Sequence, residues 1–548
     1  MVKRRGRGGR LNYVPLDAFA SLPWEGPVKL IYKATLKELP SADPALAYIT
    51  ALSAVAHLTP VTIEGVSGNM LKPTIWIGIV GPAGTGKTSV PQKIFTKLGK
   101  RLEGVVNFGV ARTRSSVEGI AKQLANGVAV VQIADEVHQI LSKKGVSSYL
   151  ADIVDFWKTA STRTIGTMYR RSDAKSMTIP EDAKLTVIWS TTEEDLDAVA
   201  SALTPAFLRR FIIVKVTAEV DPWKRSEDAS ELWDLAAEYI KFLNEFRWRG
   251  VITVSEEAVK VRDKIIDALV PSESDARRIA KLYISELASK ISLMMALEQL
   301  VYTFNILYKR KLSSQVYVFG NYSEALKAAL NYAVERGGGG LVDLLKVLKE
   351  TDGLLYTHTN TQKEAETDNE SRMYVDMCRH LVEDLLKFVE NLSSTAHLVG
   401  GFKSLSSLSE SLTHFIEKVS NTPFPPPLFE LDGDTVKVYV GDPYILLGIV
   451  FATFSLLMAG DIYEISGMHE KWAYFVRRLR ELSERFDVVD MRVLSQYMRK
   501  FGGYSELWDY VQRAVACGLL QLTEDSSPEH PKFYIVKVIP GAGEGGRE

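Results

Sequence analysis

The chain has 548 residues, enough for about three or four domains, with 46% hydrophobic and 24% charged residues, the composition of an ordinary globular protein. A net charge of −1 excludes a global basic field, so any nucleic-acid contact must come from local patches. Two cysteines, Cys378 and Cys517, exclude a disulfide framework or a zinc site of their own, and a reducing, cytoplasmic setting is expected.

Residues 1–25 read as a flexible basic arm. Lys3, Arg4, Arg5, Arg7 and Arg10 lie among glycines, and no apolar segment follows, unlike a secretory signal. A solubilising tail and a nucleic-acid arm both fit this pattern. Residues 44–58 are apolar at helical spacing and predict a helix leading into an α/β core over 26–225. Apolar, partly β-branched runs at 74–80, 128–134, 185–191 and 211–216 predict strands. Helical patterns lie between them, which predicts a parallel, doubly wound sheet.

The first predicted strand runs directly into Gly81-Pro82-Ala83-Gly84-Thr85-Gly86-Lys87-Thr88, followed by Ser89 and a helix. This is the phosphate-loop spacing in its strand–loop–helix context. The glycines let backbone N–H groups turn toward phosphate oxygens, and the helix points its positive end at the anion. Lys87 can reach the β- and γ-phosphates of ATP, and the Thr88 hydroxyl can ligate Mg²⁺.

The second strand ends in Asp135-Glu136, the Walker B arrangement. Asp135 is expected to hold Mg²⁺ through water, and Glu136 to orient or deprotonate the attacking water. The third strand ends in Thr191-Thr192, where a polar side chain can bond the γ-phosphate or that water. Thr192 is the first choice and Thr191 the second, with local capping as the other reading. Pro205-Ala206-Phe207-Leu208-Arg209-Arg210-Phe211 comes next. Arg210, or else Arg209, sits where ring-forming ATPases place a finger aimed at the neighbouring subunit.

From about Trp233 to Ala333 the pattern is helical throughout, and 226–340 is expected to be a helical lid ending at Gly337–Gly340. A helical region over 341–422 follows, interrupted by a polar stretch from Thr359 to Ser371. Pro423 and Pro425–Pro427 then mark a boundary. In 428–460, Asp432-Gly433 signals a hairpin, and the uncharged run Tyr444–Ala459 is short for a spanning helix, so it predicts a buried one. Over 461–548, helices at about 468–484, 490–501 and 505–517 precede two strand-like runs, Leu519–Thr523 and Lys532–Val538. Three helices and a hairpin predict a winged helix-turn-helix, a module that binds DNA or protein.

In that order, the phosphate loop, Asp135-Glu136, the polar strand end and Leu208-Arg209-Arg210-Phe211 resemble an AAA+ ATPase over about residues 44–300. Within that class the chain is similar to minichromosome-maintenance and superfamily 3 replicative helicases, and to phage- and plasmid-borne helicase-like proteins often found with primases. Ser115–Gly119, Asp152–Trp157, Thr191–Leu196 and Phe207–Phe211 carry this finer likeness. The resemblance implies a homo-oligomer, commonly a hexameric ring, acting on DNA for a mobile element, with a primase or replication protein as a possible partner and no membrane. It also implies a DNA-gripping hairpin before the third strand. Two β-prone arms flank Arg170-Arg171-Ser172-Asp173-Ala174-Lys175, so Arg170, Arg171 and Lys175, with Arg163 on the leading arm, become DNA-contacting candidates. A solvated hairpin tip is the other reading. A second sensor is expected from Arg277 or Arg278 at the opening of a long helix, where a plain helix surface fits equally.

Overall fold

The computed structural model describes residues 16–66, 68, 70–112, 115–138, 153–154, 156–157, 159–160, 167–169, 176–180, 182–196, 199, 205–216, 224–269, 275–313, 416, 427–432, 435–458, 475, 478–479, 481–483, 485–498, 507–508, 510–511, 514–515, 520–523 and 531–535. Helix α1 (Pro27–Glu38) leads into α2 (Pro44–Leu58). Asp43 caps α2, its carboxylate accepting from Leu46 N at 3.1 Å, and Pro44 supplies the preset φ of a first turn. Every residue of α2 after Pro44 is buried, because the helix is apolar on all sides and lies within the core.

Strands β1 (Val61–Glu64) and β2 (Met70–Leu71) precede β3 (Trp76–Val80), which enters the phosphate loop and α3 (Ser89–Arg101). Next come β4 (Phe108–Arg112), α4 (Val117–Ala125) and β5 (Ala129–Ala134). A short hairpin follows, β6 (Thr167–Tyr169) with β7 (Ser176–Thr178), then β8 (Leu185–Thr191), the single turn α5 (Pro205–Leu208) and β9 (Phe211–Lys215). The order β4-β5-β8-β3-β9 makes a five-stranded sheet that is parallel throughout. Strands β3, β8 and β9 are buried along their whole length, as expected for parallel strands covered on both faces. The α/β architecture with a parallel sheet therefore stands as expected, with β4 as an additional edge strand.

The stretch 233–333 is not helical throughout. After α6 (Ser230–Asn244), residues Arg247–Ile252 form β10, before α7 (Glu256–Leu269) and α8 (Asp275–Ser313). The alternation hidden in RWRGVI becomes a strand because β10 lies between two parallel partners, β1 and β12 (Thr435–Val440). With β11 (Leu428–Asp432) paired antiparallel to β12, a second sheet forms in the order β11-β12-β10-β1-β2. Segments read separately in the sequence thus share one sheet and one hydrophobic core, which runs from Leu16 to Val301 and takes in Phe429 to Met458.

The expected buried helix is α9 (Asp442–Met458), packed along α8. The two come close at Gly448, where a Cβ would stand 2.2 Å from Ser292 Oγ and 2.5 Å from the Ala288 carbonyl. Tyr283 and Ser455 share a hydroxyl bond of 2.5 Å, and the Tyr444 hydroxyl donates to Gln299 Oε1 at 2.5 Å. Among the described residues no helix is long and apolar enough to cross a membrane.

A smaller core near the C-terminus gathers Phe475, Leu482, Leu494, Val511 and Phe533. Its strands β13 (Val488–Asp490), β14 (Leu520–Leu522) and β15 (Lys532–Ile535) form an antiparallel sheet in the order β13-β15-β14. Helix α10 (Met491–Tyr497) starts directly after β13, and the Asp490 carboxylate caps it by accepting from Arg492 N and Val493 N at 2.9 Å each.

Candidate functional site

Parallel strands end together, so their carboxyl ends form one edge. Val80 is level with Thr191 and Lys215, and Ala134 with Trp189. The phosphate loop, the Asp135-Glu136 turn, the Thr191-Thr192 segment and Lys215 therefore converge on a single edge. The loop is tied to both neighbouring strands: Gly81 N donates to the Thr191 carbonyl at 3.2 Å, and Val216 N donates to the Val80 carbonyl at 2.8 Å. Gly84 and Gly86 adopt left-handed φ values of 83° and 76°, which only glycine takes without strain. Thr85 is buried, its hydroxyl donating to the Pro82 carbonyl at 2.9 Å, while Pro82, Ala83 and Gly84 are exposed around the cradle.

Thr88 occupies the position before α3, and its side chain makes no capping hydrogen bond. Its hydroxyl is therefore not committed to the helix, which suits a metal ligand. The Ser89 hydroxyl is turned back onto the Gly86 carbonyl at 3.2 Å. Lys87 donates to the Gly81 carbonyl across the loop. Burial holds its ammonium below the usual lysine range, against the opposing pull of Asp135, Glu136 and Asp195. One lysine facing three carboxylates at the mouth of a glycine cradle is the charge arrangement that a polyphosphate with a divalent cation would complete.

Asp135 and Glu136 are exposed at the end of β5. The Asp135 carboxylate accepts from Ser190 Oγ at 2.6 Å and from Glu136 N at 3.1 Å. Glu136 has a φ of 49°, the one left-handed non-glycine residue among those described. On the adjoining segment, Thr192 Oγ1 donates to Asp195 Oδ2 at 2.6 Å and accepts from Asp195 N at 3.3 Å, the local capping read as the other possibility for this residue. Thr191 is buried, with its hydroxyl 3.4 Å from His138 Nδ1. Lys215, also buried, pairs with Glu193 at 3.0 Å. Ser190, His138, Asp195 and Lys215 join the site although motif spacing does not mark them. The one sequence signal was the density of polar residues at the end of β8.

Arg210 lies at the other end of the sheet. It precedes Phe211, which is level with Trp76 at the start of β3. Its guanidinium sits over the Phe207 ring, 5.6 Å from the centroid. Burial and the neighbouring Arg209 hold its pKa below the usual arginine range, with Glu286 pulling the other way. Glu286 belongs to α8 and bonds Lys290 at 3.0 Å, while Lys290 Nζ donates to the Thr74 carbonyl at 3.1 Å. These contacts place this part of α8 at the edge opposite the phosphate loop. Arg277 and Arg278 are on the first turn of the same helix. The β6–β7 hairpin pairs Thr167 with Thr178 and Tyr169 with Ser176. Arg163, Arg170, Arg171 and Lys175 lie outside the described residues.

Residues 77–216 match the family model described as ATPase family associated with various cellular activities (AAA). The matched segment runs from within β3 to the residue after β9, which is the whole parallel sheet and its edge site. A search of curated proteins finds no match. The family match and the parallel sheet agree on an AAA ATPase domain, which indicates ATP-driven activity.

Proposed function

We propose that this chain is an oligomeric, DNA-dependent ATPase, a helicase or translocase that couples ATP hydrolysis to movement on DNA. The observation that carries the ATPase part is the meeting of Lys87, Thr88, Asp135 and Glu136 at one edge of the AAA sheet. Lys87 and the loop N–H groups bind the β- and γ-phosphates. Thr88 and Asp135 would hold Mg²⁺, which supplies charge neutralisation on the phosphates. Glu136 orients the attacking water and takes its proton.

On this reading a second chain completes the site. β9 has five residues, so Arg210 lies about 15–20 Å along the strand direction from the loop edge. A positive group at that distance cannot touch phosphates held by its own chain, so a finger role for Arg210 requires a second copy. This supports an oligomer, with a hexameric ring as the form suggested by the resemblance.

Two features support DNA as the track. One is the paired hairpin before β8 with its basic turn sequence. The other is the C-terminal core, where a three-stranded sheet in the order β13-β15-β14 and the capped helix α10 support a winged-helix reading. The likeness to phage and plasmid helicase-like proteins supports a replication role for a mobile element, with a primase as partner.

The test is ATP hydrolysis by the full chain with no DNA and with single-stranded, duplex or forked DNA. Turnover stimulated several-fold by at least one form, with strand separation on the fork, is the expected result. Turnover indifferent to every DNA form would overturn the DNA-dependent reading and favour an assembly or regulatory switch. Absence of turnover would overturn the ATPase reading itself.

A further inference from the structure

We propose that His138 is a positioning residue for Glu136, fixing the turn that carries this carboxylate to the end of β8; the proposal rests on the ATPase reading above. The argument starts from the backbone. Glu136 is held at a φ of 49°. A left-handed non-glycine residue costs about 1–2 kcal/mol and persists only where its surroundings over-determine it.

The restraints act on both sides of it. Ahead of Glu136, Ser190 Oγ donates to Asp135 Oδ1 at 2.6 Å, and the Glu136 amide bonds the same oxygen at 3.1 Å. Beyond Glu136, Val137 is fully buried, and His138 Nδ1 lies 3.4 Å from Thr191 Oγ1 and 3.4 Å from Asp195 Oδ2. A carboxylate only accepts, so any hydrogen bond between this pair is donated by Nδ1. Thr192 Oγ1, bonded to the same Asp195 oxygen at 2.6 Å, orients the carboxylate for this contact.

Ser190 and Thr191 are adjacent on β8, so one strand end grips the turn before and after Glu136. Thr191 also receives the Gly81 amide on its carbonyl at 3.2 Å. The same residue thereby connects the phosphate loop to His138. Loosening His138 frees the trailing side of the turn while the loop, Lys87 and Asp135 keep their contacts. Hydrolysis should suffer and nucleotide binding should not.

The experiment uses the full chain, with steady-state ATP hydrolysis, binding of a fluorescent ATP analogue and thermal unfolding measured on His138→Ala and His138→Asn. For His138→Ala, kcat should fall about tenfold to a hundredfold, the scale of a small misplacement of a reacting group. KM and the analogue's Kd should stay within about twofold of wild type. His138→Asn keeps a donor near the Nδ1 position and should recover most of kcat. Wild-type kcat in His138→Ala overturns the proposal. So does a parallel loss of turnover, binding and thermal stability that Asn does not rescue, since that describes a packing residue. If the wild-type chain binds the analogue but hydrolyses no ATP, the ATPase reading falls first and the proposal with it.

Discussion

On the proposed reading, Lys87 and Glu136 divide binding from chemistry at one edge of the sheet. Lys87 feels the charges of Asp135, Glu136 and Asp195 and is bonded to its own loop, at the place where the proposed reading puts the phosphates. Lys87→Ala should abolish hydrolysis and remove most binding of a fluorescent ATP analogue, because no other described cation of the loop faces these carboxylates. Glu136→Gln should keep binding within a few-fold while turnover falls about a hundredfold or more, the range of a lost general base. Wild-type turnover in Glu136→Gln would show that another group activates the water. That these two residues share one sheet edge was legible in the sequence, because each follows the end of an apolar run that forms a parallel strand. Ser190, His138 and Asp195 were not. Their contacts cross between β5, β8 and the segment after β8, and only the assembled sheet places these residues together. Thr192 is different: its local capping, seen in the bonds to Asp195, was one of the two readings the sequence left open.

Helix α1 is fastened at both ends by carboxylates with opposite responses to pH. At its C-terminal end the buried Glu38 accepts from Lys97 and from Trp233 Nε1 at 2.9 Å each and pairs with Lys93 at 2.9 Å, tying α1 to the phosphate-loop helix α3 and to α6. Burial alone would raise its pKa, but the two lysines outweigh it and hold the carboxyl below its ordinary value of 4.5. Its contribution is present at neutral pH and lost as pH falls through the folded value. Glu38→Ala should lower stability by about 2–3 kcal/mol in denaturant melts at pH 7, a figure discounted for the partial exposure of both lysines. At the N-terminal end Glu298 of α8 accepts from Val28 N at 2.6 Å and Gly26 N at 3.2 Å, capping a helix whose own N-cap residue is glycine. Here burial wins over these amide bonds and pushes the carboxyl from 4.5 up to about 7. This group favours the fold below pH 4.5, and its contribution declines as pH rises through about 7, by of order 3 kcal/mol in total. Glu298→Gln removes the titration and one acceptor. Its melting temperature should be lower than wild type at pH 5, and the gap should narrow or reverse by pH 8. Parallel profiles across that range would show that Glu298 does not titrate there. At this scale the amphipathic and apolar helices were legible from periodicity. β10 was not, because an isolated six-residue strand inside helical sequence is decided by its two parallel partners.

At the scale of the whole molecule, the parallel character of the first sheet followed from alternating strand and helix patterns, but its order β4-β5-β8-β3-β9 did not, and the second sheet joins β1, β10 and β12 from positions far apart in the chain. No local pattern announces parallel pairings of that separation. The assembled body separates the two halves of the proposed reaction. Lys87 and Glu136 lie at one edge of the sheet, and Arg209 and Arg210 lie at the other, beside Glu286 of α8. If Arg210 completes the site of a neighbouring copy, Arg210→Ala should lose turnover by about a thousandfold or more while each chain still binds nucleotide. Arg209→Ala serves as the comparison and should lose less. The decisive measurement mixes Arg210→Ala with Lys87→Ala protein, each inactive alone. In a mixed assembly some interfaces pair an intact phosphate loop from the first with an intact Arg210 from the second, so activity should reappear and depend on the mixing ratio. No activity in mixtures shown to co-assemble would exclude a finger acting across chains. Because the sheet already separates Arg210 from its own loop, Arg210 would then have no part in hydrolysis, and its place over Phe207 near Glu286 would be structural.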